Sequence, residues 1–257
     1  FCAASSTSAL RAVAAACRLL LAPLPPSLSG DLLRYVWEGR VWLAGGNPYT
    51  QAPADPALAA LRDTAIFPFV NHPALSAIYP PLAEAGFALV SALSPTVLAF
   101  KLWVAAHDLA LVGVLLAWSR ASRGSAAWAL VYAWNPLVLV EYAGSGHNDP
   151  TAMLGLALAF HWRERRPVLS AASLAWGGLV KLAPIVALPF LWRAWPARAR
   201  VLCLGLLVPG LAWYATQTRR AYSGLVAYWG HWKNNELVFH VAERLLGGFG
   251  RARVLTL

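Results

Sequence analysis

Apolar and polar positions follow one another along this chain in blocks, not in alternation, and the blocks predict helices. Ala9–Leu24 is an apolar run closed by the proline-rich APLPPS, and Thr96–Trp118 and Ser125–Ala143 each approach the ~20 residues that a helix needs to cross hydrocarbon. Between the first two runs, a segment of mixed polarity extends to about Ile78, a length at which loops usually carry function. After YPP, Leu82–Leu93 is apolar again. Its roughly twelve residues rise only ~18 Å, short of the ~30 Å hydrocarbon core, so this helix is expected to lie along or partly within a membrane. Val168–Trp192 is flanked by basic clusters and interrupted by GGLVKLAP, which predicts a hairpin of two half-helices in place of one long span. Half-helices are tolerated at membrane depth where protein buries them or where they line a wet cavity. Val201–Ala215 then returns across, and no internal repeat or low-complexity tract is present.

Two polar stretches stand out against this background. In SGDLLRYVWEGRVWLAGGNPYT, a helix starting after Ser29 and Gly30 places Asp31, Arg34 and Glu38 at offsets of three and four on one stripe, and Leu33, Trp37 and Val41 on another. The spacing predicts an interfacial helix with its aromatic side in lipid and its acids toward a cavity, ended by the Gly break and Asn-Pro turn of GGNPY. The plainer alternative is a surface helix with a salt-bridged face. The second stretch, YAGSGHNDP from Tyr142, brings His147, Asn148 and Asp149 to the mouth of a span, where ionisable groups are costly and usually functional. Asp149 followed by proline also suits the cap of the next helix, and a capping carboxylate still presents one oxygen. Within the run from Thr96, Lys101, His107 and Asp108 are expected to be internal packing links.

Composition settles the class. With 59% hydrophobic and 12% charged residues and a mean hydropathy of +0.53, the 257 residues hold too little polar material to coat a soluble globule. The net charge of +10 is not that of a nucleic-acid binder, because the arginines fall in short clusters between apolar runs: Arg120 with Arg123, RERR at 163–166 and RAWPARAR at 193–200. That is the pattern of cytoplasmic loops contacting anionic lipid. With those clusters inside, the long first loop and GSGHNDP share the outer face, and the last run delivers Arg219, Arg220 and YWGHWKNNE to it. Cys2, Cys17 and Cys203 lie far apart in apolar context, without metal or disulfide spacing. Beginning at Phe1 and closing on RVLTL, residues 1–257 read as one transmembrane domain truncated at both ends.

Four motifs, GDLLRYVWEGRVWLAGGNPY, NHPALSAIYPP, GHNDPTAML and GLVKLAPIVALP, resemble in order those of multi-pass mannosyltransferases of the GT-C type, which use polyprenyl-phosphate sugars. The similarity runs from Gly30 to about Asn235. It implies an all-α, multi-pass transmembrane bundle in the cell membrane, with a long first outer loop containing interfacial helices and an active site on the extracytoplasmic side. The implied reaction moves a hexose, mannose above others, from a polyprenyl-phosphate donor to a hydroxyl of a glycan or glycolipid acceptor. It proceeds by a single inverting displacement. The family's essential acidic residue in the first outer loop matches Asp31, which would be the general base, with Asp149 the second acid. Arg219, Arg220, Lys181 and His147 are candidates to absorb the charge of the departing phosphate, although the two arginines also suit simple interface anchoring. Arg34, Tyr35, Glu38, Asn47, Tyr49, Tyr79, Asn148, Trp232 and Asn234 are candidates for sugar or lipid contact, although aromatics at a membrane interface are more often belt residues. No cofactor is expected, and a Mg²⁺ or Mn²⁺ ion shared by Asp31 and Asp149 is the alternative. A transporter or lipid flippase is the rival class. It predicts inverted repeats and midplane charges, whereas the polar residues here gather in outer loops.

Overall fold

The computed structural model describes residues 2–26, 28–121, 127–220, 240–241 and 243–245. The described residues are helical throughout their regular structure, with no strand among them. A long helix, α1 (Cys2–Leu21), is followed by α2 (Asp31–Leu43) and a loop holding two 3₁₀ turns, Pro56–Leu61 and Phe67–Phe69. Then come α3 (Pro81–Leu93), α4 (Val97–Ala121) and α5 (Ala127–Ala133). Short α6 (Pro136–Val138) runs into a π-helical turn, Leu139–Gly144, before α7 (Asp149–Trp162) and α8 (Pro167–Val180). A 3₁₀ turn (Ala183–Ala187) leads to α9 (Leu188–Trp192) and α10 (Ala197–Arg220). Two of these helices, over Val97–Arg120 and Ala197–Thr218, are long and apolar enough to cross a membrane.

The predicted helix in the first loop forms as α2. Ser29 Oγ accepts from the Asp31 N–H at 3.1 Å, and the far end closes with Gly46 N–H on Val41 O at 2.9 Å and Gly45 N–H on Trp42 O at 3.1 Å. Gly45 has φ of 78°, the left-handed residue that such a stop needs. The expectation that its aromatic side faces lipid is corrected: Trp37 and Val41 are fully buried, among Phe87 and Val90 of α3, Phe100 of α4 and the first loop. Phe67 of the second 3₁₀ turn lies over Trp37 with ring centroids 5.1 Å apart, so the loop folds back and covers the stripe that sequence alone left open to lipid. Contact with α3 is close at Gly39, where a Cβ would meet Phe87 O at 2.4 Å.

Ser125–Ala143 does not form one continuous span. α5 ends at Ala133, and the Asn135 side chain accepts from Leu137 N–H at 2.9 Å to start α6. Pro136 cannot donate the hydrogen bond that would continue α5, so the chain restarts and then widens into the π turn. Where a broken hairpin was expected around GGLVKLAP, α8 stops at Val180, Lys181 is extended, and α9 follows a 3₁₀ turn. α7 and α8 pair as an antiparallel hairpin. At their crossing, a Cβ on Gly155 would lie 2.8 Å from Ser173 O, and one on Gly177 2.9 Å from Ala152 O, so the two backbones touch.

The ionisable residues in the apolar helices are packing links, as expected. Lys101 Nζ donates to Leu21 O at 2.9 Å and Leu24 O at 2.6 Å. Asp108 accepts from Arg18 Nε of α1 and from Tyr132 OH of α5, both at 2.6 Å, and His107 Nδ1 lies 2.8 Å from Trp103 O.

Candidate active site

A cavity of about 830 Å³ opens where the first turns of α2, residues 71–80 of the loop, the start of α7 and the break after α8 converge, with Tyr214 of α10 closing one side. Both carboxylates singled out in the sequence, Asp31 and Asp149, line it. Each has a defined partner. Asn71 Nδ2 donates to Asp31 Oδ1 at 2.5 Å, leaving Oδ2 toward His147, whose Nε2 is 3.6 Å away. Asp149 is the first residue of α7 and not its cap, and its Oδ1 accepts from Lys181 Nζ at 2.5 Å. The Asp149 and Lys181 side chains keep 33% and 42% of their surfaces exposed, so this pair is open to a ligand in the cavity.

His147 reaches Asp31 because of how the backbone is bent. After the π turn, Gly146 takes φ of 81° and packs against Leu32 of α2 so closely that a Cβ would lie 2.8 Å from Leu32 Cδ1. On its other side the His147 ring is held by Glu141, with Nδ1 2.6 Å from Oε2.

Beneath Asp31, the Tyr35 and Tyr79 hydroxyls are hydrogen-bonded at 2.8 Å and belong to the cavity wall. Burial, reinforced by Tyr79 and Asp31, holds the Tyr35 hydroxyl well above its ordinary pKa, and burial with the Asp31 charge does the same for Tyr79, so both keep their protons. Arg34 touches the cavity, yet its guanidinium is committed to protein. Nε donates to Glu38 at 2.6 Å, Nη1 to Asn71 O at 3.3 Å and His72 O at 3.1 Å, and Nη2 to Leu75 O. Arg34 is thus a clamp that holds the Asn71 segment against α2. Glu38 is buried beside Glu84 of α3, whose Oε2 accepts from Trp42 Nε1 at 3.0 Å. Burial first, and then the Glu38 charge, raises the Glu84 carboxyl well above the usual range. Glu84 is thereby held in its protonated form, the one that can donate toward Glu38, whose buried Oε2 has no other partner.

Three further residues singled out in the sequence do not line the cavity. Asn47 bridges to Gln217 of α10, Nδ2 to Oε1 at 2.8 Å, and caps its own turn. Tyr49 is fully buried and donates to Tyr79 O at 2.7 Å, and Asn148 is buried and accepts from Thr151 Oγ1 at 2.7 Å. Arg219 and Arg220 close α10, but their side chains, like Trp232 and Asn234 entirely, lie outside the described residues. Conversely, Asn71, Glu84, Glu141 and Tyr214 were not singled out. Glu141 carried a signal, an acid inside an apolar run, and Asn71 opens the motif NHPALSAIYPP; Tyr214 carried none. Among the described residues no three His, Cys, Asp or Glu side chains cluster as metal ligands.

The described residues thus gather acids and a lysine in one cavity at the helix ends, with two helices of membrane-crossing length and apolarity. Residues 2–198 match the family described as alpha-(1->6)-mannopyranosyltransferase, N-terminal domain. The chain belongs to this mannosyltransferase family. No curated protein and no solved structure matches it.

Proposed function

We propose that the chain is part of a multi-pass membrane enzyme that moves mannose from a polyprenyl-phosphate donor to a hydroxyl of a glycan or glycolipid acceptor on the extracytoplasmic side, with inversion. The observation that carries this reading is the convergence of Asp31 and Asp149, from separate parts of the chain, on one cavity beside Lys181.

Attack of a hydroxyl on the anomeric carbon needs a base to take its proton. Asp31 suits that role, because Oδ1 is anchored by Asn71 while Oδ2 is free of any such bond and points across to His147. The leaving phosphate needs a cation, and Lys181 supplies a half-exposed ammonium held in place by Asp149. α7 supports the orientation. Asp149 opens this helix at the cavity, and Arg163, Arg165 and Arg166 follow its last turn at the opposite end. Basic clusters prefer the cytoplasmic side, which favours an extracytoplasmic cavity.

Membranes containing the full-length protein, given radiolabelled polyprenyl-phosphate mannose, are expected to transfer label to an acceptor. Asp31→Asn, which preserves shape and the Asn71 contact, is expected to slow the transfer about 10²- to 10⁴-fold, the usual contribution of a general base. Undiminished transfer by that variant refutes the assignment.

A further inference from the structure

We propose that His147 relays to water the proton taken up by Asp31, with Glu141 the positioning residue that fixes the His147 ring. The inference rests on Asp31 being the base.

An ionised carboxylate only accepts hydrogen bonds, so the 2.6 Å contact with Glu141 places a proton on His147 Nδ1 and leaves Nε2 to face Asp31 Oδ2 at 3.6 Å. The ring cannot turn without breaking that bond. The backbone holds the same two residues together, since His147 N–H donates to Glu141 O at 3.1 Å across the π turn. π turns are uncommon and recur at functional sites, and this one brings a carboxylate from an apolar run to the back of a histidine at the cavity wall. Asp31 is fixed from the opposite side by Asn71, so Oδ2 and Nε2 face each other across a gap that a small inward shift closes. Exposure supports a route to water: the Asp31 and His147 side chains, both on the cavity wall, keep 38% and 21% of their surfaces. A link built for stability alone, like Arg18 with Asp108, is sealed at 0%.

The step balances. As the acceptor oxygen bonds to the anomeric carbon, the bond from that carbon to the phosphate oxygen breaks and its electron pair leaves with the phosphate. The acceptor proton moves to Asp31 Oδ2. It then passes to His147 Nε2, giving an imidazolium steadied at Nδ1 by the Glu141 carboxylate, and leaves from Nε2 to water in the cavity, so that Asp31 is again a carboxylate and the ring keeps its starting tautomer.

The test uses the full-length protein in membranes with radiolabelled polyprenyl-phosphate mannose, in H₂O and D₂O. Glu141→Gln is expected to lower kcat about tenfold to a hundredfold, less than loss of the base itself, with donor KM unchanged and a larger solvent isotope effect. Glu141→Asp should recover most of the rate. His147→Asn should raise the isotope effect in the same way, and the double variant should be no slower than His147→Asn alone, as for residues acting in one path. A wild-type rate or an unchanged isotope effect in Glu141→Gln overturns the proposal, as do multiplicative losses in the double variant; if Glu141→Gln does not accumulate, the His147→Asn isotope effect decides. Inactive wild-type protein or active Asp31→Asn brings down the underlying reading instead, so the two failures are separable.

Discussion

Removing the Arg34 guanidinium separates a structural clamp from a substrate ligand. In Arg34→Met the buried Glu38 carboxylate, 1% exposed, loses the cation 2.6 Å away and is left beside a second acid, Glu84. Breaking one side of a buried ion pair costs about 3–5 kcal/mol. The carbonyls of Asn71, His72 and Leu75 also lose their donor; being partly reachable by water, they add on the order of 1 kcal/mol together. Arg34→Met is therefore expected to lose roughly 4–6 kcal/mol, a large share of the ~5–15 kcal/mol that holds a domain folded. In Arg34→Met/Glu38→Leu the stranded charge is gone, leaving the carbonyl term and the hydrogen bond lost by Glu84, about 2–3 kcal/mol in all. The double variant should thus be more stable than the single one. Unfolding in detergent micelles, followed by circular dichroism against denaturant, measures both. An Arg34→Met protein within ~1 kcal/mol of wild type but with a raised donor KM would show that Arg34 binds substrate, and the clamp would be wrong.

Asp108→Asn leaves the Arg18 charge, 0% exposed, without its counter-ion and should cost about 3–5 kcal/mol, read as a lowered thermal midpoint; an unchanged midpoint refutes the link. Gly155→Ala should cost about 1–3 kcal/mol by forcing α7 off α8. Gly113→Ala in α4, with open space around its added methyl, should gain up to ~1 kcal/mol. Glu84 holds a proton in the folded state that the unfolded chain releases near its ordinary value of 4.5, so its contribution is complete below that pH and is lost as pH rises through its raised value. Glu84→Gln, whose amide donates to Glu38 without titrating, should flatten that part of the stability–pH curve; an identical slope in both proteins refutes the shared proton.

Much of this arrangement is legible from spacing. The α2 stripe, the short α3 and the break at Lys181 follow from periodicity, Gly and Pro placement and run length, and Asp31 and Asp149 stand out because charge is scarce. What periodicity cannot report is tertiary cover. Trp37 and Val41 look lipid-facing until Phe67 and α3 are laid over them, and Arg34 looks like a sugar or lipid contact until the carbonyls of Asn71, His72 and Leu75 come round to occupy it. Asn135–Pro136 shows why run length alone misleads: one absent N–H ends a helix in the middle of an apolar block.

The glycine crossing of α7 and α8 acts on the cavity from a distance. Asp149 begins one arm and Lys181 follows the end of the other, so the pair sits at the tips of tongs whose pivot is bare backbone. A single methyl at the pivot would spread the tips, and the carboxylate and ammonium would part without either being altered. Evolution can therefore retune the reach of that ammonium from inside the bundle, at a position that no ligand touches.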